Sequence, residues 1–570
     1  MFFQIPRHLK KYLVPQNYKK YTPEDQAVWR YIMKGIQHSM SLYGQKGCLS
    51  GMKRTDITFE KIPRISNINK QLKKLGWRAV TVSGFIPPKA FMEFQLNGIL
   101  PIASEIRSIN HISYTPAPDI VHEAAGHVPF LIHKKYSDFL KQYAKTVLKS
   151  ISSIEDRNLY LAIRELSDLK ENPKSTNLQI KKALKKLQLT QKNISYISES
   201  SYLSRFIWWT SEYGLMGDLK NPKIYGAGLI SSIKEAHRIN KTKKLWLSKD
   251  CLNYPFDITK VQPQYFVAKN FSHLLEVLNE ITETLSWKRG GIYGTQQAIK
   301  SKTINTVEFD NHLQLSGIVE DMLTYKKNIV FLKLSGPSQI SYKNKQLSGH
   351  GKSYHSHGYS TPLRIISKNK KPFHLWNHQN LKKEGLILGK KAHLCFENHI
   401  HLEGEVIKFL RKDNHLLIIT FKNCLVKKGN KILFHPSWGL FDLITGTGIK
   451  SVFSGVADSR SCKIKDDFKP SKVPHKRYTK RQKQVCKIYK KIEGLKNKKP
   501  SKKQEQLFNQ LLKPVKKQGA WLLTLEFLEL VQNYTAVKKE ALRYIKILIK
   551  KSPKEIKKYI LQGLPFYKQK

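Results

Sequence analysis

The sequence predicts a multidomain protein: a mainly α first domain, then a β-rich domain and a helical, basic C-terminal segment. Three observations point there. The chain has 570 residues, and single cores rarely grow past roughly 250 to 300. Apolar residues recur at helical spacing through most of the first half. After about Gly294 the text turns to short apolar alternations broken by Gly and Asn. These place boundaries at 1–298, 299–462 and 463–570.

Taken in order, Pro23-Glu24-Asp25 opens a helix whose apolar residues repeat at helical spacing. Ala79 to Val82 reads as a β-branched strand ended by Gly84 and the Pro87-Pro88 pair. KAFMEFQLNGILPIASEIR predicts a helix, a break near Gly98 and Pro101, and a second short element. A further helix begins near Lys134. The lysine-rich stretch from Glu165 to Glu199 reads as a helical hairpin or insertion. SYLSRFIWWTSEYGLMG continues as an aromatic-faced helix ending near Gly214 to Gly217. Gly226 and Gly228 mark a place where backbone needs unusual dihedrals or close approach. Tyr265 to Ala268 is a short strand, followed by the helix FSHLLEVLNEITETL. Between Thr303 and Ser459 the spacing of short strands suggests a barrel or sandwich. No internal repeat of fixed period is evident. After Lys463 the text becomes lysine-rich, then helical again.

Composition narrows the function classes. With 40% hydrophobic residues the chain can build cores, so it is globular. No apolar run of about 18 residues appears, so no membrane span is expected. The N-terminus lacks a secretory pattern, and six scattered cysteines without CxxC suit reduced thiols. A cytoplasmic location is expected. The formal charge of +59 would attract nucleic acid, yet lysine outnumbers arginine about five to one. Base and phosphate readers lean on arginine forks. A lysine-biased solvated surface is the simpler account.

The densest chemistry lies in YTPAPDIVHEAAGHVP, residues 114–129, which sets His122 and His127 beside Asp119 and Glu123. A zinc protease carries histidines at i and i+4, about 40° apart on an ideal helix. Here they stand at i and i+5, about 140° apart. They can share a metal only if the helix is distorted or ends between them, near Gly126 and Pro129. Asp119 is placed to cap this element and to accept a hydrogen bond from a ligand imidazole. Glu212, an acid among Trp208, Trp209, Tyr213 and Leu215, is costly to bury unless paired or metal-bound. Two histidines and one carboxylate suit a non-haem ferrous site with open positions.

The segments GFIPPKAF, YTPAPDIVHEAAGHVP, WWTSEYGL and YGAGLISS, in this order, closely resemble the pterin-dependent aromatic amino acid hydroxylases. The resemblance spans roughly Tyr21 to Tyr293 and implies their mainly α catalytic fold. It also implies a ferrous ion on His122, His127 and Glu212, a tetrahydrobiopterin-type cofactor, O₂, and an aromatic amino acid as substrate. By the same resemblance Arg107 would clamp the substrate carboxylate, with Thr115 and Ser231 assisting. Pro118, Trp208 and Tyr213 would wall the ring. Phe91 would stack on the pterin, backbone near Gly84 and Ile86 would hydrogen-bond it, and Glu123 would lie close by. Glu235 would brace the shell. Pro101 and Ile207 depart from the family pattern near the pterin, and the N-terminus is too short for a regulatory ACT domain. The insertion at about 165–199 lengthens the gap before Glu212 and should lie outside the site.

The expected reaction is L-phenylalanine to L-tyrosine, with tryptophan or tyrosine as alternative substrates. A reading of another class makes the catalytic half vestigial and residues 299–570 a basic nucleic-acid- or partner-binding module. The histidine-rich loop (His350, His355, His357) and FENHIHLEG show no fixed ligand spacing. ITGTGIK, ending at Lys450, lacks P-loop spacing.

Overall fold

The computed structural model describes residues 5–112, 118–172, 174–257, 260–462, 479–496 and 501–568. The helix Pro23–Tyr43 starts with a full capping box, Thr22 and Asp25 exchanging side-chain and backbone hydrogen bonds. It is buried along most of its length and forms the spine of the first half. The strand Arg78–Val82 pairs in parallel with Ile99–Ala103, in register Arg78 to Ile99. The second short element is therefore a strand. It runs straight through Pro101, and the break falls earlier, where Gly98 turns with φ +67° after the helix Pro88–Leu96.

The lysine-rich stretch forms the antiparallel pair Ile154–Glu171 and Asn177–Lys192. Its small core of Ala162, Leu166, Ala183 and Leu187 is separate from the main one. Beyond it the chain enters a four-stranded mixed sheet. Leu215–Met216 lies at its centre, antiparallel to Lys223–Ile224 and parallel to Gln264–Ala268. The WWTSEYGL helix thus ends earlier than its aromatic pattern suggests, because Leu215 is claimed by Ile224 and Val267.

Residues 304–454 form two antiparallel sheets that share their cores: Leu417, Ile418 and Ile444 of one join the apolar face of the other. They contain a repeat. Each main strand of the second sheet begins 87 residues after its counterpart: Ile304 and Lys391, Leu313 and Ile400, Asn328 and His415. The long hairpins of both copies turn on two residues with positive φ, Lys326-Lys327 and Asp413-Asn414. This geometry matches the right-handed twist of the flanking strands. The repeat is written in the residues as well, against the expectation of no fixed period: FDNHLQLSGIV (309–319) and FENHIHLEGEV (396–406) share six of eleven positions. ITGTGIK is a structural turn: Thr447 and Gly448 backbone N–H groups and the Thr447 hydroxyl all donate to Asp310.

The C-terminal helices do not stand apart. Residues between Val485 and Tyr567 belong to the same apolar cluster as the Pro23–Tyr43 helix. Arg30 on that helix forks onto Glu526, with Nη2 2.8 Å from Oε2, and Tyr31 donates to the Tyr559 carbonyl at 2.8 Å. No helix among the described residues is long and apolar enough to cross a membrane.

Candidate metal centre

His122 and His127 share one π-helical segment, Val121–His127, and Glu212 closes another, Trp208–Glu212. In a π-turn each N–H reaches the carbonyl five residues back. Here the Val128 N–H donates to Glu123 and the Tyr213 N–H to Trp208. The wider winding carries residues five apart onto one face, so the i, i+5 spacing ceases to separate the imidazoles. Of the two ways the sequence left open, the helix is distorted and does not end between them.

Gly126 serves packing instead. A Cβ there would lie 2.6 Å from Ala227 Cβ. Gly126→Ala is therefore expected to cost about 1–3 kcal/mol through overpacking and to weaken ferrous binding by displacing His127. Urea unfolding and an iron titration check this; unchanged midpoint and affinity would refute it. Gly226 and Gly228 likewise mark close approach to the backbone carrying Glu212. Added Cβ atoms would lie 2.5 and 2.9 Å from its carbonyl oxygen.

Nε2 of His122 lies 3.2 Å from one carboxylate oxygen of Glu212, and Nε2 of His127 lies 3.2 Å from the other. One donor atom from each residue lies within 4.8 Å of the other two. Ligands held about 2.0–2.2 Å from a single ion stand roughly 3 Å apart, so the set fits one cation. Burial alone would raise the Glu212 carboxyl, but the two imidazoles outweigh it and hold the group well below the usual range.

Asp119 caps the turn, accepting from the His122 N–H at 3.1 Å. Its expected bond to a ligand imidazole is not made. Both oxygens are engaged by Arg107, through Nε and Nη2 at 2.8 Å each and the backbone N–H at 3.0 Å. Burial would raise Asp119, and Arg107 reverses this to a lowered value. The imidazole partner is Ser231, whose hydroxyl lies 3.2 Å from His122 Nδ1. Arg107, only 3% exposed, also points Nη1 at the Ser231 carbonyl, 3.4 Å away.

Trp208 is stacked between Tyr213, at 4.6 Å and 24°, and Phe256, at 4.3 Å and 11°. Sequence reading missed Phe256, since nothing in NYPFD distinguishes a stacking ring from packing. Glu123 is buried and its Oε2 has no hydrogen-bond partner among the described residues. Burial pushes its carboxyl up to about 8; His127 opposes this, while Glu212 and Asp119 add to it. Phe91 is half-buried in a small cluster with Val80, Val82 and Ile86. The Gly84 N–H points at Glu105 Oε2, 3.5 Å away. Glu235 accepts from the Tyr265 hydroxyl at 3.1 Å. Pro118 is half-buried next to Asp119, and Thr115 lies outside the described residues.

Fold and site together define a helical protein in which two π-turns bring two imidazoles and one carboxylate to a single point. The family profile for biopterin-dependent aromatic amino acid hydroxylase matches residues 9–162 and 187–323, just over half of the sequence. The chain belongs to that family. The match is interrupted over the helical hairpin, and it extends into the first strands of the β-rich region. Phenylalanine-4-hydroxylase of Chromobacterium violaceum is 26% identical over 273 residues, covering 46% of this chain and 76% of the relative. The enzyme of the same name from Pseudomonas aeruginosa is 26% identical over 267 residues, covering 46% and 84%. A crystal structure of the Chromobacterium violaceum enzyme with bound iron(III) and 7,8-dihydrobiopterin aligns with a TM-score of 0.38. It is 21% identical and covers 49% of this chain and 92% of that one.

Proposed function

We propose that this protein is an iron- and tetrahydropterin-dependent monooxygenase converting L-phenylalanine and O₂ to L-tyrosine. The observation that carries the reading is the convergence of His122, His127 and Glu212 within 4.8 Å. Three protein donors on one side of an ion leave its other positions open for oxygen and substrate. Bound ferrous iron with reduced pterin supplies O₂ activation, one oxygen atom entering the ring and two pterin electrons taking the other to water.

The residues around the centre have separable tasks. Ser231 holds the His122 ring so that Nε2 faces the centre, the usual work of a partner to a ligand imidazole. Asp119 pins the Arg107 guanidinium by two donors, leaving others for a substrate carboxylate in the planar geometry that suits one. The Trp208 stack offers a flat wall for an aromatic ring, whose edge and face geometry favour such contacts. Glu123, raised to about 8, and Phe91 supply a buried polar edge and a ring for a pterin. Pro118 completes the substrate side, Gly84 and Ile86 the pterin side, and Glu235 steadies the shell through Tyr265. The bacterial relatives' names favour phenylalanine over tryptophan or tyrosine as substrate.

The test is anaerobic loading of the full chain with ferrous iron. A product assay then follows with each aromatic amino acid and a reduced pterin. Tyrosine from phenylalanine is expected at the highest kcat/KM. A hydroxylated tryptophan or tyrosine as main product would reassign the substrate, and no product from a chain holding one iron would refute the reading.

A further inference from the structure

A second convergence of metal-type donors lies in the β-rich region, and none of its members belongs to the candidate metal centre. The loop between the strands Lys345–Gln346 and Gly358–Pro362 carries His350 and His355, and the strand Phe441–Ile444 carries Asp442. All three are buried, at 7%, 7% and 3% exposure. His350 Nδ1 lies 3.3 Å from His355 Nε2 and 3.7 Å from Asp442 Oδ2. One atom from each falls within 4.8 Å of the others.

The loop is pinned to the sheet on both sides of the turn. Ile340 N–H donates to the His350 carbonyl at 3.0 Å, and Ser338 N–H to the His355 carbonyl at 2.9 Å. Asp442 is fixed as well: Thr420 donates to its Oδ1 at 2.7 Å, and Tyr359 donates to its backbone carbonyl. Tyr354 meets His350 and His355 edge-on, at 5.6 and 4.7 Å. His357, the third histidine of the motif, is exposed and takes no part.

A purely structural hydrogen-bonded cluster leaves an account open. If His350 Nδ1 carries a proton, it can be given to His355 Nε2, and Asp442 is then left facing only the hydroxyl of the exposed Tyr354, its Oδ2 without a hydrogen bond of ordinary length among the described residues. A bare buried carboxylate oxygen is costly. A cation satisfies all three donors at once. Donors about 2.0–2.1 Å from a tetrahedral ion stand roughly 3.4 Å apart, close to the spacings here.

We propose that His350, His355 and Asp442 bind one divalent first-row transition ion of the zinc or ferrous class. Imidazole and carboxylate donors suit those ions better than calcium, magnesium or copper(I). The ion ties the first repeat of the β-rich region, through its histidine loop, to the returning strand of the second. This site stands whether or not the catalytic reading of the first half holds.

The experiment uses the full chain carrying Glu212→Ala and Cys395→Ser. These remove the catalytic cluster and the surface group His393, Cys395 and His401. Cobalt(II) titration of that chain is expected to give one tight equivalent with visible d–d absorption, and addition of His355→Gln should abolish it. In the otherwise native chain, His355→Gln should lower metal content by one equivalent and leave turnover unchanged, with circular dichroism reporting the fold. Absence of the cobalt band in the first chain, or an unchanged metal count in the second, overturns the proposal.

Discussion

Glu212→Ala is expected to abolish ferrous retention and tyrosine formation together. The carboxylate reaches both imidazoles at 3.2 Å and is the sole anionic member of the cluster. Removing it leaves two nitrogen donors, too few to hold a weakly binding divalent ion such as Fe(II). Loss of about 4 kcal/mol of metal-derived stabilisation is already about a thousandfold in rate, so activity should fall to background. The fold should survive, because His122 keeps its Ser231 partner and both π-turns keep their backbone hydrogen bonds. Iron per chain, tyrosine yield and thermal unfolding should be measured on one sample. A folded variant that keeps its iron and turns over normally would remove the triad assignment.

Glu526→Ala should produce the largest loss of stability. Glu526 is 0% exposed. It receives Arg30 from the Pro23–Tyr43 helix, Lys496 Nζ at 3.0 Å, and the Tyr567 hydroxyl at 3.3 Å. Burial would lower the Arg30 guanidinium, but Glu526 outweighs this and keeps it charged. Alanine would strand a buried guanidinium, a loss of about 3–5 kcal/mol. The paired change Arg30→Met with Glu526→Leu should recover most of it, since apolar replacements of a buried pair are often neutral. Urea midpoints of the three chains decide it; a single variant costing under about 1 kcal/mol would show that the ion pair does not hold the C-terminal helices on the core.

The site was legible to an uneven degree. His122, His127 and Glu212 stood out because imidazoles and an acid in apolar text are conspicuous, and four motifs in register tied them to a family. The π-turns were not legible. An i, i+5 spacing is silent about whether a helix stops or widens, and the hydrogen bonds that distinguish the two, Val128 to Glu123 and Tyr213 to Trp208, exist only in the folded chain. The roles of Asp119 and Ser231 were mispaired for a related reason. Both lie near His122, and which one meets the imidazole depends on where Arg107 comes to rest. Phe256 and Asp442 carried no local signal at all, since each acquires its partners from residues distant in sequence.

By itself the sequence determined the family, the candidate donors, the helical first half and the β-rich text that follows, with its 87-residue repeat. Those are properties of residue type and spacing along the chain. Tertiary structure decided the winding that aims the candidate donors and the attachment of the C-terminal helices to the Pro23–Tyr43 helix. Each depends on contacts between segments up to about 500 residues apart, such as Arg30 with Glu526, and a buried charge reveals its partner only once the chain has closed around both.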